Sequence, residues 1–305
     1  MEELTLTQEK KLKIKQIQRY IAKMPSLSTT VTKVLEVCNN PNTSPGDLNK
    51  VISLDPVLTG KVLKLINSAY YSLPNQVASL TRAIIMLGLN TVKNLALSTA
   101  ILENLKDDGH SQGLSMDDFW THSICVGVTA KSIAATVGVP VTLRDEYFLT
   151  GLLHDLGKIP LNNGFPENYM KSLEFTSVKK LPLNKTEEIV FGINHMEVGQ
   201  MIAEKWQLND SMTESLYYHH NPEEAKEENQ LMVSIIALAN ACTNRFKTGS
   251  AGDMIPKDQV ILKLLKLVGI EWKTIKDIQE TVLVEIDKAR VFLQLTRKEE
   301  STYEN

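Results

Sequence analysis

Apolar residues recur along this chain at helical spacing, and nowhere do they alternate over a long run as a half-buried strand requires. Residues 1–23 carry Leu12, Ile14, Ile17 and Ile21 as a thin apolar stripe between charges, which predicts a solvated helix broken by Met24-Pro25-Ser26. From Ser26 to Ile101 the pattern predicts short helices, one of them marked by Val57, Leu58, Val62, Leu63, Leu65 and Ile66. Asn39-Asn40-Pro41-Asn42, Ser44-Pro45-Gly46 and Leu73-Pro74-Asn75 punctuate them. A linker from Lys106 to Gly113, containing Asp107-Asp108-Gly109-His110, marks the internal boundary. Five further helices are expected over about 117–137, 145–157, 185–206, 211–220 and 229–246. Asn184 with Glu187 and Ser211 with Glu214 read as capping boxes, and Pro160 and Pro222 sit just past two of the ends. Val233 to Cys242 reads as a buried helix, and residues 256–298 as a helical section before a polar, frayed end.

Composition narrows the class. With 305 residues, 43% of them hydrophobic and 23% charged, the chain is folded, and wholesale disorder is excluded. Gly 15 and Pro 11 are low counts that suit an all-α fold. Lys+Arg 33 against Asp+Glu 36 gives no footprint for gripping a phosphate backbone, so nucleic acid is not an expected partner. Cys38, Cys125 and Cys242 lie far apart, which argues against a disulfide framework and a thiolate zinc site. The first fifteen residues carry charges without an apolar core, and no run reaches the about 18 uncharged apolar residues of a membrane span. A cytoplasmic protein with no membrane partner is expected.

Five of the six histidines fall on the helix candidates: His122, His154, His195, His219 and His220. On the helix over 117–137, His122 shares a stripe with Phe119, Val126, Thr129 and Ile133 and so faces inward. His154 is followed by Asp155, with Gly151 one turn back expected to leave open space over both. His195 is flanked by Gly192 and Gly199, again expected to clear room. Any one of these alone is an ordinary core or surface histidine. Imidazole and carboxylate together are good ligands for zinc, manganese or iron, and inward-facing histidines on separate helices can meet in a bundle core and hold such an ion.

Gly151-Leu-Leu-His-Asp-Leu-Gly-Lys158 resembles the core signature of the HD superfamily of metal-dependent phosphohydrolases. The order His122, His154-Asp155, His195, His219-His220 resembles the ligand order of its HD-GYP branch, whose enzymes hydrolyse cyclic di-GMP. Met24-Pro25-Ser-Leu-Ser, Asp55-Pro56-Val-Leu-Thr-Gly-Lys-Val-Leu, Asn67-Ser68-Ala69-Tyr70 and Ser79-Leu-Thr-Arg-Ala-Ile-Ile-Met-Leu-Gly-Leu89 are similar to the HDOD domain. The resemblance covers roughly 20–245 and implies a multi-helix fold, with an N-terminal helical subdomain over 24–106 packed on an HD-like subdomain over 114–250. Residues 1–23 and 251–305 are then terminal extensions. It also implies a metal set of His122, His154, Asp155, His195, His219, His220 and, on the late helix, Asn240.

Two positions depart from the superfamily pattern. Asn240 stands where an aspartate is the last ligand, leaving Asp155 as the one anionic ligand and implying a weaker site with one divalent ion (iron, manganese or zinc) or none. Asn221-Pro-Glu-Glu-Ala follows His219-His220 in place of the Gly-Tyr-Pro segment. Lys158 matches a lysine near the substrate phosphate in the related enzymes, and as a helix C-terminal cation it also suits the dipole. Asp155 and Lys158 are the catalytic pair if the site turns over. The Asn67-Ser68-Ala69-Tyr70 turn is expected to fix a helix end, and Arg82 to be an ordinary surface or interface residue.

Three functions are thus implied. Regulation through a signalling-protein partner, with a phosphate-containing small ligand as a second one, ranks first. Metal-dependent hydrolysis of a nucleotide or cyclic dinucleotide ranks second. Nucleic-acid binding through a helix-turn-helix-like element in 45–100 is a distant third.

Overall fold

The punctuation in the sequence becomes helix caps. In a computed structural model describing residues 2–38, 40, 42–105 and 113–295, the regular structure is all helical, with no strand among those residues. In chain order the α-helices are α1 (Glu2–Lys23), α2 (Thr29–Cys38), α3 (Pro45–Ile52), α4 (Pro56–Ile66), α5 (Leu80–Leu87) and α6 (Leu89–Asn104). There follow α7 (Met116–Thr136), α8 (Arg144–Leu153), α9 (Lys158–Gly164), α10 (Pro166–Lys179) and α11 (Leu183–Phe191). The rest are α12 (His195–Lys205), α13 (Asp210–Tyr218), α14 (Gln230–Phe246), α15 (Asp258–Val268) and α16 (Trp272–Ala289). The linker expected over 106–113 lies, apart from Gly113, outside the described residues, as does the polar C-terminal end.

The chain divides into two units, one of Met1–Ser26 with His110–Val284 and one of Leu27–Gly109 with Glu285–Asn305. In the second, Ser44, Asp55 and Ser79 cap α3, α4 and α5 by accepting from backbone N–H groups of the first turns, and Pro45 and Pro56 open two of those helices. Asn67 closes α4 as expected. Its Nδ2 donates to the carbonyls of Leu63 (2.9 Å) and Val77 (2.8 Å), and its Oδ1 accepts from Val77 N at 2.7 Å. Arg82 is exposed.

In the first unit α7 and α14 form the buried centre, with Ile124, Val126 and Ile133 against Val233, Ile236 and Leu238. The helix α1 is less solvated than its charges suggest. Ile17 and Ile21 are buried in this unit, each contributing about 1.5–3 kcal/mol, and Lys205 caps the end of α1 through the carbonyls of Ile21, Ala22 and Met24. Among the described residues no single helix is long and apolar enough to cross a membrane; α5 and α6 pass only as a pair bent by 119°.

Several boundaries differ from the sequence expectation, each for a packing reason. The helix expected over 145–157 ends at Leu153, and the chain tightens through Leu156 N–Leu153 O (2.9 Å) and Lys158 N–Asp155 O (2.9 Å) before α9, which contains Pro160. The helix expected over 185–206 is two, because Gly192 (φ 81°) ends α11 and Asn194 with Glu197 caps α12 in a capping box. The expected boxes at Asn184 and Ser211 do not form: Pro182 and Asn209 precede α11 and α13. The helices α9 and α10 lie where the pattern predicts none.

Candidate metal centre

The five expected histidines reach the interior from four pieces of chain. His122 lies mid-α7, His154 and Asp155 in the turn after α8, His195 at the first residue of α12, and His219 and His220 just past α13. The tight turn at 154–157 is what aims two successive side chains inward, and both are fully buried. Gly157 makes that turn possible. Its φ of −64° suits any residue, but a β-carbon there would stand 1.9 Å from the His195 carbonyl oxygen and 2.6 Å from Gly199 N.

The other glycines do not clear space as expected. Gly151 lets α8 touch α7, since its β-carbon would stand 2.8 Å from the Gly127 Cα. Gly192 faces Lys10, and Gly199 has ordinary contacts.

Asp155 is the hub. Its Oδ2 lies 3.1 Å from His154 Nε2 and 3.9 Å from His122 Nε2, and its Oδ1 lies 3.4 Å from His195 Nε2 and 3.5 Å from His219 Nε2. His220 Nε2 stands 3.2 Å from His195 Nε2, which is 3.4 Å from His219 Nε2. Two sets of donors result, His122–His154–Asp155 and His195–His219–His220, each with ligand atoms within 4.8 Å of one another.

The tautomers fit a cation. His154 Nδ1 donates to Gly151 O (2.8 Å), His219 Nδ1 to Leu216 O (3.0 Å), and His195 Nδ1 to Glu187 Oε2 (2.6 Å). Carbonyl and carboxylate oxygens only accept, so in all three rings Nδ1 carries a proton and Nε2 is the atom turned to the centre. His154 Nε2, both nitrogens of His122 and Asp155 Oδ1 have no hydrogen-bond partner despite full burial. Lone pairs converging in a dry interior repel unless a proton or a metal ion lies between them. The donor set therefore suits zinc, manganese or iron.

Burial drives His122 down to about 3 and His219 down to about 4, and drives His220 well below its ordinary value, which keeps those imidazoles neutral as ligands must be. Burial also disfavours the charge on His195, but the Glu187 carboxylate more than offsets this and raises it. Asp155 is held well below the carboxylate range in spite of its burial, through His154 and Lys158.

Asn240 is buried on α14, and its Oδ1 accepts from Asn244 Nδ2 at 2.8 Å. Lys158 opens α9 and so does not serve a helix C-terminus; its ammonium is wholly buried between Asp155 (2.8 Å) and Asp253 (2.5 Å). Two acidic residues escaped the sequence reading. Glu187 looked like a capping-box partner but reaches across the Gly192 break to His195, also accepting from its backbone N at 2.9 Å. Asp253 sits in a Gly- and Ser-containing loop with no periodic signal. With both included, two buried carboxylates face the Lys158 ammonium and a third faces His195, so Asp155 is not the only negative charge here. Orienting partners of this kind matter to the ion: Glu187→Gln is expected to weaken metal binding by roughly 10–100-fold, measured by competition with a metal-responsive dye.

Residues 24–222 match the HDOD domain family. The fold is similar to that of an HDOD domain protein of unknown function from Geobacter sulfurreducens, with a TM-score of 0.72, 24% identity, and coverage of 92% of this chain and 97% of that one. It is also similar to a provisionally named signal transduction protein from Marinobacter aquaeolei VT8 (TM-score 0.72, 21% identity, 94% of this chain and 66% of that one). A provisionally named phosphohydrolase from Shewanella amazonensis SB2B matches at 0.69 and 20% identity, over 92% of this chain and 98% of that one. At these identities the likeness establishes the fold. A curated protein of Treponema pallidum (strain Nichols), called only "Uncharacterized protein", is 28% identical over 250 residues, 81% of this chain. The chain spans 46% of that relative's length.

Proposed function

Because this chain belongs to the HDOD family, we propose that it is a cytoplasmic regulatory module in signal transduction, whose histidine centre holds a divalent cation for binding and not for turnover. The observation that carries this reading is the burial of the centre: His122, His154, Asp155, Lys158 and His195 are 0% exposed and His219 is 2% exposed, while His220 alone is partly open. Hydrolysis needs a phosphate ester and an attacking water to reach the ion together. Five ligand side chains wrapped this closely serve instead to tie α7, the 154–157 turn, α12 and the end of α13 into one arrangement. An ion that binds one packing of those elements better than another shifts the population between them. The output is then a contact with a signalling protein, and a phosphate-containing small ligand is the second partner, entering beside His220. Nucleic acid is not a partner in this reading, given the net charge of −3.

A second reading, a metal-dependent phosphohydrolase acting on a nucleotide or cyclic dinucleotide, is favoured by one observation: all five histidines are present, four converging on Asp155 and His220 standing beside His195. Elemental analysis of wild type and His195→Ala, with phosphodiesterase assays under zinc, manganese, iron and magnesium, separates the two. Metal in the wild type, its loss in the variant and no turnover in either are expected. Robust turnover abolished by His195→Ala would sink the regulatory reading.

A further inference from the structure

The proposal that follows rests on the cation-holding reading and concerns how many ions the five histidines take. The two donor sets flank Asp155, with His122 and His154 on Oδ2 and the His195 set on Oδ1. They are not equivalent, because a cation already stands beside one of them. The Lys158 ammonium lies 2.8 Å from Oδ2, the same oxygen that His154 Nε2 approaches to 3.1 Å. Its other two N–H groups end on Asp253 Oδ2 at 2.5 Å and on the Ala251 carbonyl at 3.0 Å. An ammonium has three donors, so this one is fully spent. It cannot turn toward a phosphate without leaving two buried carboxylates unpaired.

The loop that supplies Ala251 and Asp253 is seated on the helix that carries His122. Ser250 N donates to Asp118 O at 3.1 Å, and a β-carbon on Gly249 would stand 2.4 Å from His122 N. Gly249 (φ 66°) and Gly252 (φ 85°) take the left-handed backbone that lets the chain turn twice within four residues and drop Asp253 onto Lys158.

We propose that Lys158, clamped by Asp155, Asp253 and the Ala251 carbonyl, takes the place of a second metal ion, so that the centre holds one divalent cation, at His195, His219 and His220. Like charges a few ångströms apart in a dry interior repel strongly, so the His122–His154 side stays closed to an ion while the ammonium is in place. Asp253 has a defined part in this. By sharing Lys158 it leaves Asp155 with charge to spend on the ion at Oδ1, an electrostatic contribution that Asn240 cannot make.

The test loads the full-length protein with manganese, removes the excess, and reads metal content per chain together with the electron paramagnetic resonance spectrum. Wild type is expected to hold one ion with the spectrum of an isolated Mn(II). Lys158→Met is expected to double the content to two ions and to show an exchange-coupled pair. Should that variant not fold, His122→Ala and His195→Ala decide the matter without touching Lys158: the first keeps its ion and the second loses it. Two ions in the wild type, one ion in folded Lys158→Met, or loss of the ion from His122→Ala would each overturn the proposal. No ion in the wild type with manganese, iron or zinc would overturn it together with the cation-holding reading, whereas two ions would remove this proposal alone.

Discussion

Gly157→Ala is expected to destabilise the protein by about 3 kcal/mol or more, the upper range for overpacking, with a fall in Tm of roughly 6–12 °C. The added methyl would meet backbone on both sides, the His195 carbonyl at 1.9 Å and Gly199 N at 2.6 Å, so no side chain can rotate away to receive it. The 154–157 turn would have to lift off α12, and that motion carries Asp155 away from His195 and His219. The same variant is therefore expected to lose metal. Gly60→Ala is the control: Gly60 is exposed in α4 with nothing within 4 Å of its added carbon, and alanine there is expected to stabilise by about 0.5–1 kcal/mol. Thermal unfolding of the two variants against wild type makes the comparison. A Gly157→Ala protein as stable as the wild type would show that the turn does not pack on α12 as described.

Lys158→Met is expected to cost the metal-free protein about 3–5 kcal/mol, because removing one member of a buried ion pair strands the other. Here two carboxylates are stranded, Asp155 and Asp253, at 0% and 8% side-chain exposure. In the wild type burial works against both charges, yet Lys158 helps keep Asp155 well below the ordinary carboxylate value and Asp253 at about 2. Such depressed groups contribute stability that is present above their unfolded value near 3.8 and lost as pH falls through the folded one. Without the ammonium Asp253 loses the main charge that offsets its burial and Asp155 keeps only its histidine partners, so the penalty is greatest at neutral pH and is relieved as the carboxylates protonate. The gap between wild type and Lys158→Met is thus expected to narrow steadily from pH 7 toward pH 4. Denaturant unfolding of chelator-treated protein at several pH values reads this directly. A gap under about 1 kcal/mol at pH 7, the size of a surface pair, would refute the buried clamp. Added manganese is expected to restore much of the loss, since an ion bound only by the folded state stabilises it.

Much of the family resemblance turns out to reside in residues that shape backbone. Asp55 and Ser79 are N-caps, Asn67 clamps a helix end to Val77, and the Pro25 carbonyl accepts from Trp206 Nε1 at 3.0 Å. These are local devices whose geometry spans a few residues, so they are readable in order along the chain. The inward faces of His122 and of the Val233 to Cys242 stretch were readable for the same reason, as a helix repeats its faces every 3.6 residues.

The boundaries that failed did so where tertiary contact overrode the pattern. Apolar periodicity runs through 145–157 and 185–206 without interruption, yet the chain breaks at Leu153 and Gly192 because α12 must approach Gly157 and Glu187 must reach His195. By itself, then, the sequence determined the all-α class and which histidines turn inward, since these depend on neighbours within one or two turns. Only the tertiary structure decided that Glu187 orients His195, that Asp253 clamps Lys158, and that both donor sets share Asp155. Those contacts join residues 8, 95 and, around Asp155, up to 64 positions apart, and no local rule carries charge complementarity across such separations.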